Sequence, residues 1–329
     1  EHRPWEYDVV ADGERHRGPG RRRAGRSAPT PPVTGAAPGT GGGPAGEQVA
    51  GTPTAPRSGR AGRNLPAAIG VGCTLGAVVL ASLFVWPSTF LGVVIAAVWV
   101  GTWELVRAIR TSGARPPLIP LLAGGTVMTV MAWYAGTDGL TLALVVTVLA
   151  ALLWRLGDGR EHFRRDLTPI VLIAVYVPFL LGFAALLQRS DDGPFRILVT
   201  LLAVTLSDTG GYAAGVFFGK HPMAPRISPK KSWEGFAGSV TAAAVGSAVL
   251  LFFTLDERVP LYWGALFGVV IAVVAVLGDL TESMLKRDLG IKDMSRLLPG
   301  HGGLMDRLDS ILFAVPTAYL LLSMIAPPG

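Results

Sequence analysis

From residue 65 onward the chain is a succession of long apolar runs separated by short charged clusters. A helix needs about 20 residues to cross a hydrocarbon layer of about 30 Å. On that measure the runs predict spans at 66–86, 88–107, 117–136, 140–155, 167–187, 195–218, 236–254, 261–280 and 305–326. The expected fold class is therefore all-α: a polytopic helical membrane protein of about nine transmembrane helices.

The charged clusters test this count. If the chain starts on the cytoplasmic side, the inner loops and helix ends carry Arg107, Arg110, Arg115, Arg155, Arg160, Arg164, Arg165, Lys220, Arg226, Lys230, Lys231, Lys286, Arg287, Lys292, Arg296 and Arg307. The outer loops carry only Arg189, Arg196 and Arg258. This asymmetry follows the positive-inside rule. It predicts a multi-pass protein of the cell membrane, with the N-terminus and charged loops cytoplasmic and the C-terminus external.

Residues 1–63 differ in kind. They hold 13 Gly and 9 Pro with ten Arg against six acids, a composition that buries no core. They are expected to form a disordered cytoplasmic tail ahead of a membrane-embedded domain over 64–329. The run Arg21-Arg22-Arg23 suits either a solvated tail or contact with anionic lipid. It is not followed closely by an apolar stretch, which excludes an export signal. Overall the chain is 50% hydrophobic and 16% charged, with a mean hydropathy of +0.46. Soluble domains average about 25% charged residues, so an ordinary soluble globule is excluded, and no nucleic-acid partner is expected. The single cysteine, Cys73, excludes a disulfide framework or a CxxC site.

All five lysines lie between residues 220 and 292, and the acids hardest to explain as surface decoration fall in or near that region. Asp208, in Ser207-Asp208-Thr209-Gly210-Gly211, sits about a dozen residues inside an apolar span, where a charge is costly and commonly functional. The bland alternative is a carboxylate satisfied by helix-end donors beside the glycines. Asp279 and Glu282 share a helical face, and Asp306 and Asp309 repeat that spacing. Oxygen-only donors point to Mg²⁺ or Mn²⁺ rather than zinc; a salt-bridged interfacial belt is the competing reading. Lys286, Arg287 and Lys292 suit phosphate oxygens, and Gly302 and Gly303 would let backbone N–H groups approach them closely. His301 fits as a phosphate donor, a general acid/base or a plain loop residue. Lys220, Arg226, Lys230 and Lys231 form a second basic loop that departs from the Walker A pattern.

The stretch Ser283-Met284-Leu285-Lys286-Arg287, Lys292-Asp293, Ser295, Leu298-Pro299, His301-Gly302-Gly303-Leu304 and Asp306-Arg307-Leu308-Asp309 resembles the signature of phosphatidate cytidylyltransferases (CDP-diacylglycerol synthases). SDTGGYAAG, APRISPKKSWEG and GDLTES resemble further segments of that family, and the likeness covers roughly 65–329. It implies transfer of a cytidylyl group from CTP to phosphatidate with Mg²⁺, a second metal ion being an option, by a homodimer in the membrane. It implies Asp279, Asp306 and Asp309 as metal ligands with Asp208 nearby. Lys286, Arg287, Lys292, His301 and Arg307 would then be catalytic, and Ser207, Lys220, Arg226, Lys230, Lys231, Glu282, Ser283, Gly302 and Gly303 substrate-binding.

A CTP-dependent polyisoprenol kinase is the nearest rival. An ion-coupled transporter would place carboxylates near mid-span, and a scaffold gives no reason for so many phosphate-suited groups. CDP-alcohol phosphotransferases space their acids differently.

Overall fold

The computed structural model describes residues 65–157, 159, 163–254, 259–295, 297–298 and 302–327. The expected disordered tail over 1–63 lies outside the described residues. The helices are α1 (Leu65–Val85), α2 (Pro87–Arg110), α3 (Leu118–Gly157), α4 (Phe163–Ala174), α5 (Leu180–Gln188), α6 (Gly193–Phe218), α7 (Trp233–Thr254), α8 (Leu261–Asp288) and α9 (Met305–Ile325). A π-helical turn, Val175–Phe179, joins α4 to α5 into one span. Pro178 in that turn has no N–H to donate and its ring crowds the preceding turn, which accounts for the local widening.

The expected spans 117–136 and 140–155 are the two helical arms of α3, which meet at a non-helical Gly136 (φ 73°, ψ −153°). Only a residue without a Cβ adopts that backbone cheaply. The chain doubles back there: a Cβ on Gly124 would overlap the Thr147 side chain, 23 residues later. The two arms are therefore antiparallel. Among the described residues, seven helices are long and apolar enough to cross a membrane. Counting the second arm of α3, and α1 with its described apolar run Gly70–Val85, accounts for all nine expected runs.

The apices agree. Gly136, Arg189, Asp192, Tyr319 and Pro327 line one cavity of about 390 Å³. This places the bend of α3, the end of α5, the start of α6 and the end of α9 at one pole. The other pole gathers the C-termini of α6 and α8 and the start of α9. There Asp166, 1% exposed, pairs with Arg155 and accepts the Arg115 N–H at 2.7 Å, tying α3 to α4. One departure from an all-helical expectation is a small antiparallel hairpin, β1 (Pro222–Ala224) and β2 (Ser228–Ser232), between α6 and α7.

Helices α6, α7 and α8 meet through small residues. A Cβ on Gly210 would lie 2.7 Å from the Gly238 carbonyl oxygen, and a Cβ on Gly238 would lie 2.7 Å from that of Gly210. Such reciprocal contact lets the backbones touch, which drives association where lipid removes the hydrophobic incentive. Gly238→Val should therefore force α6 and α7 apart and cost about 1–3 kcal/mol through overpacking. A lower thermal midpoint of the detergent-solubilised protein would show it; an unchanged midpoint would mean the interface yields freely.

Candidate active site

Many of the carboxylates and cations singled out above converge at the pole where α6 and α8 end and α9 begins. A cleft of about 520 Å³ is lined there by Asp208, Asp279, Asp293, Asp306 and Asp309, and by Lys230, Lys231, Lys286 and Arg307. Tyr212, Ser232, Ser239 and Ser310 complete its polar wall. Each element contributes for a local reason. Asp208 lies within α6, ten residues before its end, so the glycines beside it serve helix packing rather than a helix terminus. The hairpin carries Lys230 and Lys231 over the cleft, and its base is held by Glu234, which accepts the Lys220 and His221 N–H groups at 3.1 and 3.2 Å.

The ionic contacts form two sets. Lys231 Nζ lies 2.5 Å from Asp279 Oδ2, linking β2 to α8. Lys286 Nζ lies 2.9 Å from both Glu282 Oε2 and Asp306 Oδ1, linking α8 to α9. Glu282 is 0% exposed, so it stands behind the cleft and holds Lys286. Asp306 is fully used within the protein: its second oxygen accepts the N–H groups of Met294 at 3.1 Å and Gly303 at 2.8 Å. Asp208 shares the cleft wall with Asp279 and Asp309, whose charges it feels, and with Lys231 and Arg307.

The remaining expected residues are placed as follows. Ser207 is buried and its carbonyl accepts the Ser239 hydroxyl. Ser283 donates to Asp279 Oδ1 at 3.3 Å. Lys220, Arg226 and Lys292 are exposed outside the cleft lining. Arg287 turns to the hairpin, donating to the Ile227 carbonyl at 3.5 Å. His301 lies outside the described residues. The two glycines differ from the phosphate-cradle expectation. Gly302 has φ 79° and leaves room for Asp306, a Cβ there falling 3.0 Å from Oδ2. Gly303 spends its N–H on Asp306, and a Cβ on it would lie 2.9 Å from both carboxylate oxygens of Glu104.

Glu104 escaped the sequence reading. It is 0% exposed on α2 and accepts hydrogen bonds from Ser295, Leu304 and Met305. An acid within the run WVGTWELVR was the available signal, masked by Arg107 one turn later, which made it look like an ordinary helix-end charge. Asp293 was likewise quoted only as part of a motif.

Among the described residues, no three His, Cys, Asp or Glu side chains are grouped closely enough to hold a metal by themselves. The donor set still suits Mg²⁺, which binds through one or two carboxylates and takes its other ligands from water and substrate phosphates. Asp279 and Asp309 line the cleft with fewer internal partners, Lys231 and Ser283 on the first and the Ser310 N–H on the second, whereas Asp306 is engaged by Lys286 and two backbone donors.

Comparison with known proteins bears on this cleft. Residues 66–325 match the Cytidylyltransferase family. A phosphatidate cytidylyltransferase of Mycobacterium tuberculosis is 42% identical over 319 residues, covering 92% of this chain and 96% of its own. One of Mycobacterium leprae is 43% identical over 282 residues, covering 81% and 90% respectively. One of Staphylococcus haemolyticus is 41% identical over 142 residues, covering 43% of this chain and 54% of its own.

Proposed function

Because this chain belongs to the cytidylyltransferase family, we propose that it transfers the cytidylyl group of CTP to phosphatidate, giving CDP-diacylglycerol and pyrophosphate for phospholipid synthesis. The observation that carries the reading is the cleft, where four cations and five carboxylates meet at one pole of a bundle of membrane-length helices. A soluble nucleotide and a lipid phosphate can meet only at such an interface.

The chemistry needs little from a general base. The phosphate of phosphatidate is largely ionised near neutral pH, and one of its oxygens attacks the α-phosphorus of CTP. The new P–O bond forms as the bond from the α-phosphorus to its bridging oxygen breaks, and the electron pair leaves with pyrophosphate. The obstacle is an anion approaching a polyanion, so catalysis is positioning and charge neutralisation. Lys230 and Lys231 on the hairpin, with Lys286 and Arg307 at the α8–α9 junction, hold phosphate oxygens from two sides. Lys231 is tied to Asp279 until a substrate phosphate competes for it. Asp279 and Asp309, with Asp208 close to both, would hold Mg²⁺. The ion, when bound, neutralises phosphate charge and polarises the leaving group.

The proposal extends to a homodimer, on the strength of the motif likeness. It also extends to a cell-membrane orientation with the active-site loops cytoplasmic and the C-terminus external, on the strength of the loop charges.

Purified protein should release pyrophosphate only when CTP, phosphatidate and Mg²⁺ are all present, and Asp309→Asn should lower that rate by at least 100-fold, about the loss expected for a preorganised charge at a transferring phosphoryl group. Turnover of CTP with a polyisoprenol and none with phosphatidate would overturn the assignment in favour of a lipid kinase.

A further inference from the structure

Helix α9 carries Asp306, Arg307 and Asp309 in its first five residues, so its N-terminus places three of the nine charged side chains that line the cleft. That N-terminus has no side-chain cap of its own: the residue ahead of it is Leu304. Helix termini leave backbone N–H groups without intrahelical partners, and a nearby carboxylate both accepts from them and favours the positive end of the helix dipole.

Glu104, 200 residues earlier in the chain, supplies that cap. Its Oε1 accepts the Leu304 N–H at 3.0 Å and its Oε2 the Met305 N–H at 2.7 Å. The Ser295 hydroxyl also donates to Oε1, and the Leu297 N–H donates to Ser295 Oγ at 3.0 Å. One buried carboxylate thus binds Ser295 and the start of α9 together. Gly303 fits the same arrangement, since any side chain there would collide with the Glu104 oxygens.

We propose that Glu104 is a positioning residue for this site: a carboxylate delivered by α2 that caps α9 from outside and ties Ser295 to that cap, so that Asp306 keeps Lys286 in place and Arg307 and Asp309 stay on the cleft wall. The proposal rests on the cytidylyltransferase reading above. Glu104 itself does not line the cleft, so its influence passes through Leu304, Met305 and Ser295.

Two measurements test it. Glu104→Gln preserves shape but presents an NH₂ group to a backbone donor. It should lower kcat by about 30–100-fold, the scale of a displacement of about 1 Å in a catalytic group. KM for phosphatidate should stay within a few-fold, because the hairpin lysines are untouched. Gly303→Ala should lose activity by collision with the carboxylate. Combining it with Glu104→Asp, one methylene shorter, should give an enzyme more active than Gly303→Ala alone. A double variant no better than the product of the singles would overturn the proposal. So would a Glu104→Gln enzyme whose kcat per folded molecule is unchanged, since that marks a merely structural role.

Hydrogen exchange separates this outcome from failure of the activity assignment. With the bundle intact, the Leu304 and Met305 amides should exchange at least tenfold faster in Glu104→Gln than in the parent protein. If the parent protein releases no pyrophosphate yet exchange accelerates, the clamp stands and the proposed reaction falls. If exchange is unchanged, the clamp falls whatever the activity.

Discussion

Asp306→Asn is expected to reduce pyrophosphate release by about 10²–10³-fold while leaving a protein that still assembles in detergent, the loss typical when one preorganised electrostatic group is removed. The carboxylate is 7% exposed and faces donors on all sides: the Lys286 ammonium at 2.9 Å and the Met294 and Gly303 N–H groups at 3.1 and 2.8 Å. Asparagine offers a single acceptor oxygen and turns an NH₂ group toward another donor. At least one buried donor is then left unpaired, at a cost of about 1–3 kcal/mol. The amide oxygen can serve either Lys286 or the Met294 and Gly303 N–H groups, not both, because those donors use different carboxylate oxygens. With the oxygen on the backbone donors, Lys286 keeps only Glu282 as a partner and is drawn away from the cleft; with it on Lys286, the two backbone N–H groups lose their acceptor. The assay is the initial rate with CTP, phosphatidate and Mg²⁺. A rate within threefold of the parent enzyme would show that the carboxylate has no part in ordering the site.

Much of this arrangement was legible in the residue order, and the exceptions have physical causes. Apolar run length depends only on bilayer thickness, so the nine runs mark the passes well. The expected boundary between 117–136 and 140–155 falls where Gly136 reverses the chain, and the short polar stretch Gly136-Thr137-Asp138-Gly139 was the mark of it. Asp208 stood out because a charge inside an apolar run needs a reason, and Asp279, Asp306 and Asp309 because of their i, i+3 spacing at helix ends; the structure gathers all four in one cleft. Their partition did not follow from spacing. Nothing in the i, i+3 pattern says that Asp306 spends both oxygens on Lys286 and backbone donors while Asp279 meets Lys231 from a hairpin. Spacing also could not show that Glu282 is buried behind the cleft wall, holding Lys286, while Lys286 lines the cleft. Glu104 was beyond reach for a different reason: its partners are backbone N–H groups about 200 residues away, and backbone donors leave no mark in a sequence.

Lys286→Met is expected to be the most damaging single substitution, because it strips one cation from two nearly buried anions. Lys286 Nζ lies 2.9 Å from Glu282, which is 0% exposed, and 2.9 Å from Asp306. Removing one partner of a buried pair typically costs about 3–5 kcal/mol, because the charge left behind has neither water nor counter-ion. The comparison is Lys231→Met, whose side chain is 23% exposed and whose partner Asp279 is 34% exposed. Water can solvate Asp279 there, and exposed pairs contribute only about 0–1 kcal/mol. The thermal midpoint should therefore fall several times further for Lys286→Met than for Lys231→Met. Adding Glu282→Gln to Lys286→Met removes one stranded charge and should restore most of the lost stability. It should restore none of the pyrophosphate release, because the cation that faces the substrate phosphates is still missing. Recovery of stability without activity separates the two duties of Lys286, joining α8 to α9 and neutralising phosphate charge. Equal midpoints for the two methionine variants would instead place Lys286 on the solvated side of the cleft and remove the argument that burial makes this pair costly to break.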